Sequence, residues 1–162
     1  MSDLLSLLQE FYGDKLAQLL RHQAGARHVQ QYDFNNTYQY IINREDVQLS
    51  WIGKAIEELG GTIDDKTAEP ALQISGKGEA GADGVIEVDA REAQAFVDRW
   101  RPRVEAMANA RHRGMLRVVL GETLEQKRFF EQALAGQTDL LGRRPDHVGP
   151  RVGHVLPTRW IE

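Results

Sequence analysis

Cysteine is absent from the 162-residue chain, which excludes disulfide frameworks, zinc ribbons, thiol nucleophiles and iron–sulfur clusters together. Proline is scarce: three of the five (Pro145, Pro150 and Pro157) lie near the end, so only Pro70 and Pro102 can interrupt earlier elements. No stretch approaches the ~20 apolar residues a membrane span requires. The Met-Ser-Asp start lacks a basic segment followed by an apolar run, so a cytoplasmic protein with no membrane partner is expected. Neither sign of charge dominates, with 24 acids against 20 bases and a net charge of −4, which argues against nucleic acid as a partner. A chain of this length reads as a single domain, able to bury about 70% of its unfolded surface without a disulfide or metal staple.

What is present is helical periodicity in two halves. Residues 3–23 place Leu4, Leu5, Leu8, Phe11, Tyr12, Leu16, Leu19 and Leu20 near a 3.6-residue period, with Ser2 or Asp3 as N-cap and Gly25 as stop. A second helix is predicted over residues 26–59, ending in the glycine signature Gly60-Gly61. Its apolar stripe runs Phe34, Tyr38, Ile41, Glu45, Gln48, Ile52, Ile56, Leu59, so a carboxylate and an amide occupy consecutive inner positions. Leaving a buried polar group without a partner costs about 1–3 kcal/mol, and a lone ionised carboxylate more. These two groups therefore require compensation.

Residues 61–88 carry Asp64, Asp65, Glu69, Glu79, Asp83 and Glu87 against Lys66 and Lys77, and read as a long acidic crossover. Within it, residues 71–74 and 85–88 form a candidate small β-hairpin around a 76–84 loop; a disordered acidic crossover is the alternative. Helical spacing resumes after Asp89, a candidate N-cap, with Ala93, Phe96, Val97 and Trp100. A turn at Arg101-Pro102 would begin a last helix over residues 102–136; a Pro-kinked helix to His112 with its turn at Gly114 is the other reading. The last helix has the candidate inner row Met115, Val118, Glu122, Glu125, Phe129 and Ala133. A shift of 77 positions superimposes Glu45 on Glu122 and Gln48 on Glu125. Residues three apart share a helix face and can reach one ligand together.

The segment Asn43-Arg44-Glu45-Asp46-Val47-Gln48-Leu49-Ser50-Trp51-Ile52, continuing to Ala55-Ile56-Glu57-Glu58-Leu59-Gly60-Gly61, resembles the metal-binding helix of the ferritin-like superfamily, with rubrerythrin-type members nearest. The resemblance covers roughly residues 2–60 and 89–136. It implies an all-α, up-down-down-up four-helix bundle with hairpins at 2–60 and 89–136, and leaves the 61–88 crossover and a 137–162 arm outside it. In that family two helices each supply Glu-x-x-His to a di-iron or di-manganese centre, and each partner helix adds a Glu. Glu45 and Glu122 match the glutamates, while Gln48 and Glu125 stand where histidine would be. Glu10, 35 residues before Glu45, is the first-helix candidate, with Asp14 as rival; Glu92 or Glu87 would serve in the third helix.

Two functions are therefore open. One is an iron- or manganese-binding redox or storage protein using Glu45, Gln48, Glu122 and Glu125, with Glu10 beside them. The other is a non-enzymatic, metal-free bundle acting in oligomerisation, its carboxylates neutralised by Lys15, Arg44, Arg128 or a histidine. The histidines (22, 28, 112, 147 and 154) include no His-Glu-x-x-His pattern, and read as solvated or singly hydrogen-bonded. Beyond residue 141, Val148, Val152, Val155, Leu156, Trp160 and Ile161 alternate with proline and glycine. They suggest an extended arm packed along the bundle or onto a second subunit, with a homodimer as the simplest context.

Overall fold

Four helices account for most of residues 2–137 and 140–141, the part of the chain described by the computed structural model. They are α1 (Ser2–Ala26), α2 (Tyr32–Glu58), α3 (Glu79–Glu105) and α4 (Ala110–Leu134). Side-chain pairs fix their directions. Glu10 meets Arg103, Asp14 meets Trp100 and Arg21 meets Asp89, so α1 and α3 are antiparallel. Phe34 meets Phe130 and Arg44 meets Glu122, so α2 and α4 are antiparallel as well. With α1–α2 and α3–α4 each joined by a short turn, the order is up-down-down-up. The expected all-α four-helix bundle is present, and its topology is compatible with a ferritin-like fold.

The long connection follows from that order. The parallel helices α2 and α3 start at the same end, so the chain must travel the length of α2, about 40 Å for its 27 residues. Residues 61–78, extended, can reach about 60 Å. The segment is tied down along α1: Gln9 Nε2 donates to the Thr62 carbonyl (3.0 Å), the Tyr12 hydroxyl donates to Asp65 (2.7 Å), and Arg27 pairs with Glu69.

Glycine ends α2 as expected, and a glycine ends α4 too. After α2, Gly60 takes a positive φ of 81°, its N–H reaches the Glu57 carbonyl, and the Gly61 N–H reaches Ile56. After α4, Gly136 repeats the arrangement at φ 95°, with bonds to Ala133 and from Gln137 to Gln132.

Several boundaries differ from the sequence reading. The second helix begins at Tyr32 rather than residue 26, because Gln31 caps it by accepting from the Phe34 N–H. The third begins at Glu79, so the proposed hairpin is wrong: residues 85–88 are helical, and no strand exists among the described residues. Asp89 is accordingly an interior helix residue and no N-cap. Burial overrides local preference there. Val85 and Ile86 pack into the core, and a Cβ on Gly25 would stand 2.9 Å from Val85 Cγ1, so only glycine lets α1 come this close.

Pro102 likewise fails to end α3. The carbonyl it leaves without an N–H partner belongs to exposed Asp98, where water can bind it, and the turn comes at 106–109. The C-terminal arm, apart from Leu140 and Leu141 packed against the core, lies outside the described residues.

The core at one end is aromatic across α1 and α3. Phe11 meets Phe96 at 5.3 Å and Trp100 at 4.9 Å, both edge-on. Phe11→Ala should therefore lower the unfolding free energy by about 3–5 kcal/mol in urea titrations, as expected for a buried ring whose cavity cannot collapse. A loss below about 1 kcal/mol would mean this contact is absent.

Candidate functional site

The inner row of α1 is Leu8, Phe11, Lys15, Leu19, His22, spaced by 3, 4, 4 and 3, and all five side chains are buried. Two cationic side chains thus enter the core by helical register. They meet Glu45, which α2 presents inward through the row predicted from sequence and which is 0% exposed. Lys15 Nζ lies 3.1 Å from Glu45 Oε2, and it donates to Gln18 Oε1 (2.8 Å) and Thr123 Oγ1 (3.1 Å). Three oxygens surround an ammonium that has three protons. Thr123 in turn donates to the Val119 carbonyl at 2.8 Å. On the other side, His22 Nδ1 lies 2.5 Å from Glu45 Oε1.

Burial alone would push the Glu45 carboxyl up, but His22 and then Lys15 hold it below its usual value. Burial likewise pulls His22 down, and the Glu45 charge and hydrogen bond reverse this, leaving the imidazole raised. The pair is therefore ionised inside the bundle.

A second buried carboxylate lies beside it. Asp89 of α3 accepts from the Tyr38 hydroxyl (2.5 Å) and from Arg21 Nε (3.0 Å). Burial raises Asp89, and its neighbours His22, Tyr38 and Arg21 only partly counter this. Burial and the adjacent Asp89 push the Tyr38 hydroxyl well above its usual range. The His22 ring stands edge-on to Tyr38 and tilted against Phe130, closing the cluster with aromatic surface.

The other sequence candidates are placed apart. Gln48 is fully buried and donates through Nε2 to Glu122 Oε2 at 2.9 Å. Glu122 itself sits at the edge, 26% exposed, gripped by Arg44 through bonds of 2.8 and 3.1 Å. Glu125 is 45% exposed and pairs with Arg128. Glu10 is 54% exposed and pairs with Arg103; Asp14 binds Arg99 and the Trp100 indole; Glu87 and Glu92 are exposed.

The inner row of α4 runs one residue later than its predicted row: Leu116, Val119, Thr123, Gln126 and Phe130 are buried, while Val118 is 50% exposed. The relation between halves is therefore a shift of 78, placing Thr123 opposite Glu45 in register and Gln126 opposite Gln48.

Sequence reasoning reads His22 as solvated or singly hydrogen-bonded, without choosing it as the histidine that neutralises a carboxylate, and Asp89 as a cap. The signal for His22 was available, since Lys15 and His22 continue the Leu8–Phe11 spacing. Asp89 could not be found while residues 79–88 read as extended.

This donor set does not fit a di-iron or di-manganese centre. Among the described residues no three of histidine, cysteine, aspartate and glutamate are grouped to hold a cation. Where a metal would need lone pairs around Glu45, the chain supplies the Lys15 ammonium, which has none. No protein-family model matches the chain, and no curated protein or solved structure matches it.

Lys15→Met should cost about 3–5 kcal/mol in urea unfolding, because it leaves a buried carboxylate short of a partner. Adding Glu45→Leu to it should restore most of that loss, since the remaining His22 can stay neutral. The pH dependence has two opposed flanks. Glu45, lowered from 4.5, contributes stability above that pH and loses it as pH falls through the folded value. His22, raised from 6.5, contributes fully below 6.5 and loses it as pH rises through its folded value. Asp89, raised from 3.8, acts opposite to Glu45, favouring the fold in acid and opposing it as pH rises. Thermal melts should accordingly show maximal stability between pH 4.5 and 6.5, and His22→Gln should flatten the decline on the alkaline side.

Proposed function

We propose that this chain is a ferritin-like bundle related in topology to the rubrerythrin type, in which a self-neutralised charge cluster stands in place of a di-metal centre. On this reading it is a non-enzymatic, metal-free module of oligomerisation or protein interaction. The observation that carries the proposal is Lys15, 0% exposed, with its ammonium on Glu45, Gln18 and Thr123. The long-crossover order of the helices supports the superfamily assignment.

A homodimer is the proposed assembly. Tyr40 (37% exposed) stands against Phe129 of α4, and Leu134 (40% exposed) lies at the end of α4 that leads into the proposed arm. Four surface arginines are matched by acids, in Arg99–Asp14, Arg103–Glu10, Arg117–Glu105 and Arg128–Glu125, which supports a protein partner over nucleic acid. Among the described residues no helix is long and apolar enough to cross a membrane. A cytoplasmic location is part of this proposal.

Elemental analysis after loading with iron or manganese and desalting tests the central claim. Less than about 0.1 metal per chain is expected, unchanged by Glu45→Ala with Glu122→Ala. Stoichiometric metal that the double variant loses would replace the proposal with the metal-binding one. Light scattering should give twice the 18.3 kDa chain mass, falling to the monomer in Tyr40→Arg/Leu134→Arg.

A further inference from the structure

At the end of the bundle where α3 begins and α4 ends, a cleft of about 410 Å³ opens between the α1–α2 turn and these two helices. Val29, Phe34 and Ile86 form its floor, each nearly fully buried, and half-buried Ala82 and Ala133 form its sides. Two acids of α3, Glu79 and Asp83, line its outer edge. Both are exposed and make no ion pair among the described residues.

Such a cleft suits an apolar occupant with positive charge beside it. Covering apolar surface is favourable by roughly 25 cal/mol per Å² removed from water. Like charges four residues apart on a helix repel, so a cation near Glu79 and Asp83 relieves them.

The chain itself supplies both features. Ala133, in the last turn of α4, is part of the wall; the chain then turns at Gly136 (φ 95°) and packs Leu140 and Leu141 against the same core. The sequence after Leu141 carries Val152, Val155, Leu156, Trp160 and Ile161. It also carries four arginines (143, 144, 151 and 159) against two acids, Asp146 and Glu162. Trp160 has the largest side chain of this segment and follows Arg159, so one dipeptide brings an indole for the floor and a guanidinium for the edge. The 19 positions from Leu141 to Trp160 can span about 60 Å, well beyond the cleft. A tethered segment meets its site at an effective concentration on the order of mM, an advantage that the same segment on another molecule lacks.

We propose that this cleft is the docking site of the same chain's C-terminal segment, with Trp160 seated against Phe34 and Ile86 and Arg159 beside Glu79 and Asp83. The docking requires neither a second copy nor a metal-free centre. Its failure therefore leaves the mass and metal-content tests of those readings untouched.

Absence of cysteine allows a direct test in the full chain. With Ala82→Cys and Ile161→Cys, mild oxidation should join the two positions within one molecule, giving a product of monomer mass that reduction reverses. Asp98→Cys, exposed farther along α3, should link to Ile161→Cys at least about tenfold more slowly. Trp160→Ser should slow the position-82 crosslink at least about tenfold, and so should Glu79→Lys with Asp83→Lys. Glu79 and Asp83 are exposed, so unchanged circular dichroism is expected of that variant. A crosslink joining two molecules would give the cleft to an exchanged segment and overturn docking within one chain. Equal rates at positions 82 and 98, or a rate indifferent to Trp160→Ser or to the charge reversal, would overturn the proposal as well.

Discussion

Charge neutralisation in a dry interior is the constraint on which this bundle depends. A carboxylate moved from water into protein loses several kilocalories of solvation, and recovers them only when cations and hydrogen bonds surround it closely. Glu45 meets that condition through Lys15 and His22, one on each oxygen. Remove the ammonium and Glu45 keeps His22 alone; remove the carboxylate and two cationic groups on α1 face each other. The cluster works as a unit, and its members cannot be exchanged singly.

The same rule extends outward and connects the helices. Asp89 on α3 is met by Arg21 from α1 and the Tyr38 hydroxyl from α2. Glu122 on α4 is met by Arg44 and Gln48 from α2. Each of these three acids finds its partners on a different helix from its own. A one-residue slide of any helix would separate a charged pair. Polar layers of this kind can specify register where leucine and phenylalanine contacts are permissive. In a bundle whose halves are joined by a long, irregular crossover, that role has obvious value.

Much of the architecture was legible from periodicity. Four helices, the glycine ends at Gly60 and Gly136, and the inward direction of Glu45 and Gln48 all follow from 3.6-residue spacing and turn chemistry. The failures have physical causes. Residues 79–88 carry Gly81, Gly84, Val85, Ile86 and Val88, poor helix formers that become helical because Val85 and Ile86 gain burial against α1. Pro102 is tolerated because the carbonyl it orphans faces solvent. On α4 the row was read one residue early, since Val118 and Met115 are apolar and sit beside the true row. That slip put Glu122 and Glu125 where Thr123 and Gln126 belong. The difference decides the chemistry of the centre, since a hydroxyl and an amide replace two carboxylates.

Corrected for that shift, the buried polar side chains in the layers around Glu45 are Lys15, Gln18 and His22 on α1, Glu45 and Gln48 on α2, Asp89 on α3, and Thr123 and Gln126 on α4. Two of the eight are acids, two are cationic in the folded state, and four are neutral. A carboxylate-bridged metal pair needs the opposite balance: an excess of anionic donors that stay unsatisfied until the cation arrives. Here the anionic donors are already satisfied by the protein's own cations, and the raised imidazole adds a positive charge where a divalent ion would have to approach. On the proposed reading, this balance disfavours a cation at the centre. This is why a helix order shared with metal-binding bundles can coexist with a centre organised around an ammonium ion.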